Sequence, residues 1–242
     1  MRKVLLTVFV AFVSTSLLAQ SDSTVRRNAL KPGNTAKGGD HFMLQLGYLT
    51  WQNTPDSIKT GGLPRTFNAY FLFDFPFKTN PKFSVAIGPG IATDHMFFDE
   101  MNVGIKNTTP SLVFDNVSDT AHFKKYKLST VYLEAPVELR FSSNPTESKR
   151  SVKIAVGAKV GTLLSAGVKG KNLESGSGNP LASYTLKEKS KRYFNTTRLS
   201  LTGRAGYGHF SLFASYGITP IFKEGVGPEV RAMTIGLTIS GL

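Results

Sequence analysis

The sequence predicts an all-β chain, an eight-stranded antiparallel up-and-down transmembrane β-barrel. Three observations lead there. The first is a period of two in the stretch from Lys124 to Lys171: Ser129, Val131, Leu133, Ala135, Val137, Leu139 and Phe141 alternate with Thr130, Tyr132, Glu134, Pro136, Glu138 and Arg140. Successive side chains of a strand point to opposite faces, so this alternation marks a strand and not a helix. The second is run length. A soluble sandwich also puts an apolar row on one face and charges on the other, but its strands usually stop after about five or six residues, and a strand crossing a bilayer needs about nine to eleven. Both runs of the 124–171 stretch keep their alternation for about ten residues or more. The third is the spacing between strands, which alternates long and short along the chain, as in outer-membrane barrels with short periplasmic turns and longer outer loops.

The amino terminus supplies the route of export. Met1, Arg2 and Lys3 precede a largely apolar run, Val4 to Val13, and the region closes at Ala19-Gln20. A charged start, an apolar stretch and a small residue before the cleavage point read as a secretory signal peptide over residues 1–19. The apolar run is shorter than the ~20 residues a spanning helix needs, and no other segment approaches that length. An exported chain without a stop-transfer helix is periplasmic, secreted or inserted as a barrel, because only helices and closed barrels satisfy their backbone in lipid. Cysteine is absent, which excludes disulfides and thiol chemistry. The formal charge is +13, but the excess is spread through loops with no basic helix or stacking-aromatic motif to carry it. Nucleic acid is therefore not the expected partner; anionic lipid phosphates are.

Residues 20–40 are polar and aperiodic and read as a mobile N-terminal segment ahead of a barrel domain over 41–242. The first strand runs from Phe42 to Trp51, with Phe42, Leu44, Leu46 and Tyr48 on one face and Gln45 and Gly47 on the other. A loop with Pro55, Gly61, Gly62 and Pro64 follows. In the second strand, Thr66 to Phe77, the residues Phe67, Ala69, Phe71, Phe73, Phe75 and Phe77 alternate with Asn68, Tyr70, Leu72 and Asp74. The turn from Lys78 to Lys82 leads to a third strand, Phe83 to Asp94, with Val85, Ile87 and Ile91 opposite Ser84, Ala86, Gly88, Gly90 and Ala92. Such small residues leave room for bulky neighbours inside a narrow barrel.

A long segment, about His95 to Phe123, separates the third strand from the fourth. The fifth carries Val152, Ile154, Val156, Ala158, Val160, Thr162 and Leu164 on one face and Lys153, Ala155, Gly157, Lys159 and Gly161 on the other. Another long polar segment is expected over about Lys169 to Asn195. The sixth strand, Thr197 to Tyr207, sets Leu199, Leu201, Ala205 and Tyr207 against Arg198, Ser200, Thr202 and Arg204. Gly208 and His209 turn the chain into the seventh, Phe210 to Phe222. The loop from Lys223 to Glu229 precedes the eighth, Arg231 to Ile239, with Met233, Ile235, Leu237 and Ile239 outward. Phe75, Phe77, Phe83, Phe141, Tyr207 and Phe210 all fall at the short-turn end, where an interfacial aromatic girdle belongs.

The strings YLEAPVELRF, KIAVGAKVGTLLSAGVKGK and GRAGYGHFSLFASYGITPIF, with the leader ending in Ala-Gln, resemble the eight-stranded outer-membrane β-barrel family common in Bacteroidota, labelled porin family or PorT-like. The resemblance covers nearly all of the mature chain and implies the fold and an outer-membrane location; it implies no particular activity. Barrels of this kind usually end in an aromatic residue read by the assembly machinery, whereas this sequence ends Ile239-Ser-Gly-Leu242.

The inward faces collect Asp74, Glu134, Glu138, Arg140, Lys153, Lys159, Arg198 and Arg204. Side chains fill the lumen of so small a barrel and buried charges have to pair, so these residues are expected to form a structural lumenal charge network. Glu134 and Glu138 are expected to meet Lys153 and Lys159 of the neighbouring strand. In a strand the two glutamates lie about 13 Å apart, too wide for paired-carboxylate glycoside chemistry. For hydrolysis the candidates are His95 beside Asp94 and His122 after Asp119, and lone loop histidines are usually bland. Gly88-Pro89-Gly90 and Gly157-x-x-x-Gly161 lack the helix and lysine of a phosphate loop. No metal-ligand cluster and no cofactor motif is present. The expected function is non-enzymatic: a monomeric outer-membrane barrel in lipid and lipopolysaccharide whose long loops contact a partner protein or the surface. A narrow solute channel, or a PorT-like accessory of protein secretion, are the alternatives.

Overall fold

Residues 41–241 are described in the computed structural model, all within the unit Ala36–Leu242; the leader and N-terminal segment expected over 1–40 lie outside them. The alternating runs form β1 (Phe42–Gln52), β2 (Arg65–Phe71), β3 (Phe73–Pro76), β4 (Phe83–Ile87), β5 (Gly90–Phe98), β6 (Met101–Val103), β7 (Phe114–Asn116), β8 (His122–Ser142), β9 (Val152–Glu174), β10 (Pro180–Lys189), β11 (Thr197–Tyr207), β12 (Phe210–Gly217) and β13 (Arg231–Ser240). Antiparallel ladders link β1 to β2, β2 to β5, β5 to β8, β8 to β9, β9 to β11, β11 to β12, β12 to β13 and β13 back to β1. The ring is closed. β3 and β4 continue β2 and β5 past Leu72 and past Gly88-Pro89, pairing with each other and, for β4, with β8. With those two breaks bridged, the barrel has eight strands.

Backbone hydrogen bonds continue across the margin of the first break. Phe71 N donates to Pro89 O at 2.9 Å and Leu72 N to His41 O at 2.6 Å. Gly88 lies where a Cβ would run into the Phe71 carbonyl, so the strands approach closely enough to bend there only because the residue is glycine.

The two faces sort as their parity requires. Leu46, Phe67, Phe71, Leu133, Val137, Val156, Val160, Leu201, Leu212, Ile235 and Leu237 are exposed on the outer surface and form a continuous apolar belt, while Gln45, Asn68, Glu134, Glu138, Lys159, Arg198 and Arg204 are inside. A soluble protein does not present such a belt to water; a bilayer covers it. At the short-turn end Phe75, Phe77, Phe83, Tyr207 and Phe210 are exposed, and Phe83 and Phe141 rings lie 5.2 Å apart.

At the opposite end the structure departs from the sequence expectation. The segment expected as polar and strandless over Lys169–Asn195 contains the end of β9 and all of β10, and β8 and β9 reach 21 and 23 residues, about twice a bilayer crossing. β10 is exposed along nearly its whole length, on both faces, so the apolar–polar alternation that reveals a half-buried strand is missing there. The segment expected as a loop over His95–Phe123 likewise holds the end of β5, the β6–β7 hairpin and the start of β8. β12 stops at Gly217 and not at Phe222, because the chain turns inward there. Phe222, Phe194, Tyr193, Val230, Ile105, Val103, Met101 and Phe98 gather, with Leu49, Met96, Leu128 and Tyr132 of the wall, into one apolar cluster. Trp51 packs edge-on against both Phe98 and Phe222. The connections fold over the outer mouth as an aromatic cap.

Candidate functional site

The lumen is built from side chains that the strand period directs inward and that low-dielectric burial forces to pair. Its first group centres on Arg198 of β11. Arg198 Nη1 reaches Asp94 Oδ2 of β5 at 2.6 Å and its Nε lies 3.5 Å from Glu134 Oε1 of β8, while its guanidinium stacks over the Tyr132 ring at 4.8 Å. The remaining carboxylate oxygens are satisfied by hydroxyls: Thr66 Oγ1 donates to Asp94 Oδ1 at 2.6 Å and Tyr70 OH to Glu134 Oε2 at 2.7 Å. Lys159 of β9 donates to Gln45 Oε1 at 3.0 Å and sits over the rings of Tyr70 and Phe213. Asn68 also donates to Gln45, which ties β1, β2 and β9 together.

The second group lies toward the short-turn end. Glu138 Oε2 accepts from Arg140 Nε at 3.0 Å and from Arg204 Nε and Nη2 at 3.2 Å each. Arg140 and Arg204 are ladder neighbours of the same residue, Ala155, so two cations face each other across β9 and one carboxylate holds both. Asp74 Oδ1 is 3.8 Å from Arg140 Nη1. Lys153, buried on the same inward row, faces Ser142 and Gly206.

The pairing differs from the expected one. Glu134 and Glu138 are not set opposite Lys153 and Lys159 in the ladder: their register partners on β9 are Gly161 and Gly157, while Lys159 faces Pro136. With no side chain in the way, the glutamates reach past β9 to the arginines of β11. Gly157-x-x-x-Gly161 is thus a pair of gaps in the wall that let acids and bases two strands apart meet.

Sequence reasoning placed Asp94 with the hydrolytic candidates and left out Gln45 and Tyr70 as functional partners. Asp94 extends the inward row of Gly90 and Ala92, and that parity was the available signal. His95, its neighbour, points to the opposite face, where its Nδ1 lies 2.8 Å from Ser129 Oγ. Asp94 is committed to Arg198 inside the wall, so it does not orient His95, and the nucleophile–base–acid arrangement of a hydrolase is not assembled. His122 Nδ1 lies 3.0 Å from the Thr120 carbonyl oxygen two residues away. Among the described residues no group of His, Cys, Asp and Glu is arranged to hold a metal ion.

Two solved structures similar to this chain are those of Ail, the attachment invasion locus protein of Yersinia pestis. In complex with the heparin analogue sucrose octasulfate it is 17% identical over 82% of this chain and 96% of that one, with a TM-score of 0.35. Alone it is 17% identical over 83% and 97%, with a TM-score of 0.34. None of the curated proteins matches the chain. Residues 33–223 match the family described as outer membrane protein beta-barrel domain. This span is most of the chain and contains most of the barrel strands; the protein belongs to the outer membrane protein beta-barrel domain family and resides in the outer membrane.

Proposed function

We propose that the protein is a non-enzymatic, monomeric outer-membrane barrel with a closed lumen, which acts through the parts that rise above the membrane. The observation that carries this reading is the placement of Glu138 between Arg140 and Arg204, with Arg198 between Asp94 and Glu134 one level above. Every one of these groups is inside the wall, and their mutual pairing leaves the site with structural work and no reacting centre. The aromatic cap adds a second closure at the outer mouth. The eight lumenal residues Asp74, Glu134, Glu138, Arg140, Lys153, Lys159, Arg198 and Arg204 are read as stabilising the barrel, the domain as residues 41–242 behind a cleaved leader, and the family branch as the PorT-like one of Bacteroidota. The long β8–β9–β10 extension and the loops carry contacts with lipopolysaccharide or a partner protein.

Planar-bilayer recording of the refolded protein tests the reading. No steady current is expected. A stable, ohmic single-channel conductance would overturn it in favour of a narrow solute channel.

A further inference from the structure

The outward faces of the strands do not stay apolar to their ends. On β8 the outward row runs Val131, Ser129, Lys127, Lys125, and on β9 it runs Ser165, Gly167, Lys169, Lys171. The register sets Lys127 directly opposite Lys169 and Lys125 opposite Lys171. On the other side of β9, Lys187 of β10 also faces Lys169. On the other side of β8, Phe97 of β5 faces Lys127, and Arg65 of β2 faces His95 one step along that strand. β2, β8, β9 and β10 therefore place cations on one surface, with Phe97 of β5 among them. Arg65 and Lys127 lie over the same Phe97 ring at 5.4 and 5.7 Å, and with Lys125, Lys169 and Lys171 they line a concavity of about 180 Å³.

Like charges directly opposite each other destabilise a ladder, and this sheet stacks two such pairs without an acid among them. The acids of the same strands are on the reverse face: Glu174 is held by Lys124 at 2.9 Å, and Glu188 is the ladder partner of buried Val168. Burial, followed by the charges of Arg65, Lys169 and Lys171, pushes the Lys127 ammonium below its ordinary pKa. The surface is thus an uncompensated cationic one. Its height is fixed by the belt: on β2 Arg65 is two residues from exposed Phe67, about 7 Å along the strand, and below the lysines the same outward rows continue into Ile91, Leu133 and Leu164. A molecule that met both would need negative charge at the level of the headgroups and hydrocarbon beneath it.

We propose that Arg65, Lys125, Lys127, Lys169, Lys171 and Lys187 form a docking site for the phosphate groups of a phosphorylated outer-leaflet lipid whose acyl chains lie along Phe67, Ile91, Leu133 and Leu164. The inference rests on the reading of the protein as a membrane-inserted barrel that works from its outer surface, and it assigns that surface one ligand class. Phosphate oxygens accept from several ammonium groups at once, and the guanidinium adds a planar fork.

The test uses the full barrel refolded in phosphatidylcholine nanodiscs, with bisphosphorylated lipid A as probe and retention read by native mass spectrometry. Each cation near an anionic surface contributes roughly a factor of five, so the triple variant K127Q/K169Q/K171Q should retain the probe on the order of a hundredfold less. Dephosphorylated lipid A should bind the wild type as weakly as the probe binds the variant. K78Q/K82Q, at the short-turn end, should change nothing. Equal retention by wild type and triple variant, or equal binding of phosphorylated and dephosphorylated lipid, overturns the proposal. So does displacement of the probe by inorganic phosphate alone, which would make the site one for a soluble anion. A heat-shifted electrophoretic band for every variant shows that the barrel itself is intact, so that loss of the lipid site is distinguished from failure of the inserted-barrel reading.

Discussion

Glu134 and Arg198 face each other across Gly161, which is the ladder partner of both. The acid on β8 and the base on β11 are joined because the strand between them carries no side chain at that level. A Cβ built on Gly161 would lie 2.7 Å from Glu134 Cγ and 3.1 Å from the Leu133 carbonyl oxygen. Gly161→Val should therefore displace the glutamate, separate it from Arg198 and crowd a filled lumen, with a loss of about 1–3 kcal/mol. The urea midpoint of the barrel in lipid vesicles measures this. A variant as stable as the wild type would mean that the gap is not what brings the pair together.

Glu138 is the single acceptor shared by Arg140 and Arg204. Removing its carboxylate leaves two buried guanidinium groups facing each other across Ala155 with Asp74 at the long distance of 3.8 Å from one of them. Breaking a buried pair in this way costs on the order of 3–5 kcal/mol, so Glu138→Ala should unfold at markedly lower denaturant. Glu138→Gln, which keeps an acceptor oxygen but not the charge, should fall between the two. Stability equal to the wild type for Glu138→Ala, together with loss of a transport or secretion phenotype, would show that the lumen is a working site and not a plug.

The barrel was legible in the sequence because a strand half in lipid and half in a polar lumen writes its environment into every second residue. Phe67 to Phe77 on one strand and Val152 to Leu164 on another show the outward row without interruption. The charge-bearing inward positions follow from the same parity. Partnership did not follow, because it depends on register: Glu134 opposes Gly161 and not Lys159, and nothing in the Ser142–Arg150 connection dictates that offset by itself. The bulge between Val131 and Tyr132 shifts the outward row of β9 from the even-numbered to the odd-numbered positions, which is how Lys169 and Lys171 come to join the surface of Lys127. The cap was illegible for a further reason. Phe98, Phe114, Phe194 and Phe222 come from three separate segments between barrel strands with no common period, and only the closed barrel brings them together.

The belt supplies a test of facing that does not involve the lumen. Val156 is 56% exposed on the outer face of β9, midway along its apolar row. Val156→Arg should make insertion less favourable by about 2–4 kcal/mol if that position meets the bilayer midplane, whereas Lys171→Arg on the same strand should be silent. Folding yields in vesicles of decreasing protein-to-lipid ratio report the difference. An unchanged folding midpoint for Val156→Arg would reverse the assignment of inner and outer faces.

Two closures in series make a distinct prediction about conduction. Phe222 is 1% exposed and packs on Trp51, Phe114 and Phe194, while the ion pairs lie deeper in the lumen, beneath the Tyr132 ring that stacks on Arg198. Phe222→Ala should cost about 3–5 kcal/mol of cap packing. The barrel ladders are separate from that packing, so the loss should appear as faster proteolysis of the loops with the heat-shifted band preserved. Neither Phe222→Ala nor Glu138→Ala should pass a steady current alone, because the other closure remains. The double variant should pass one. Current through Phe222→Ala by itself would place the whole barrier at the outer mouth, and would leave the buried charges of the lumen with the stability of the wall as their only effect.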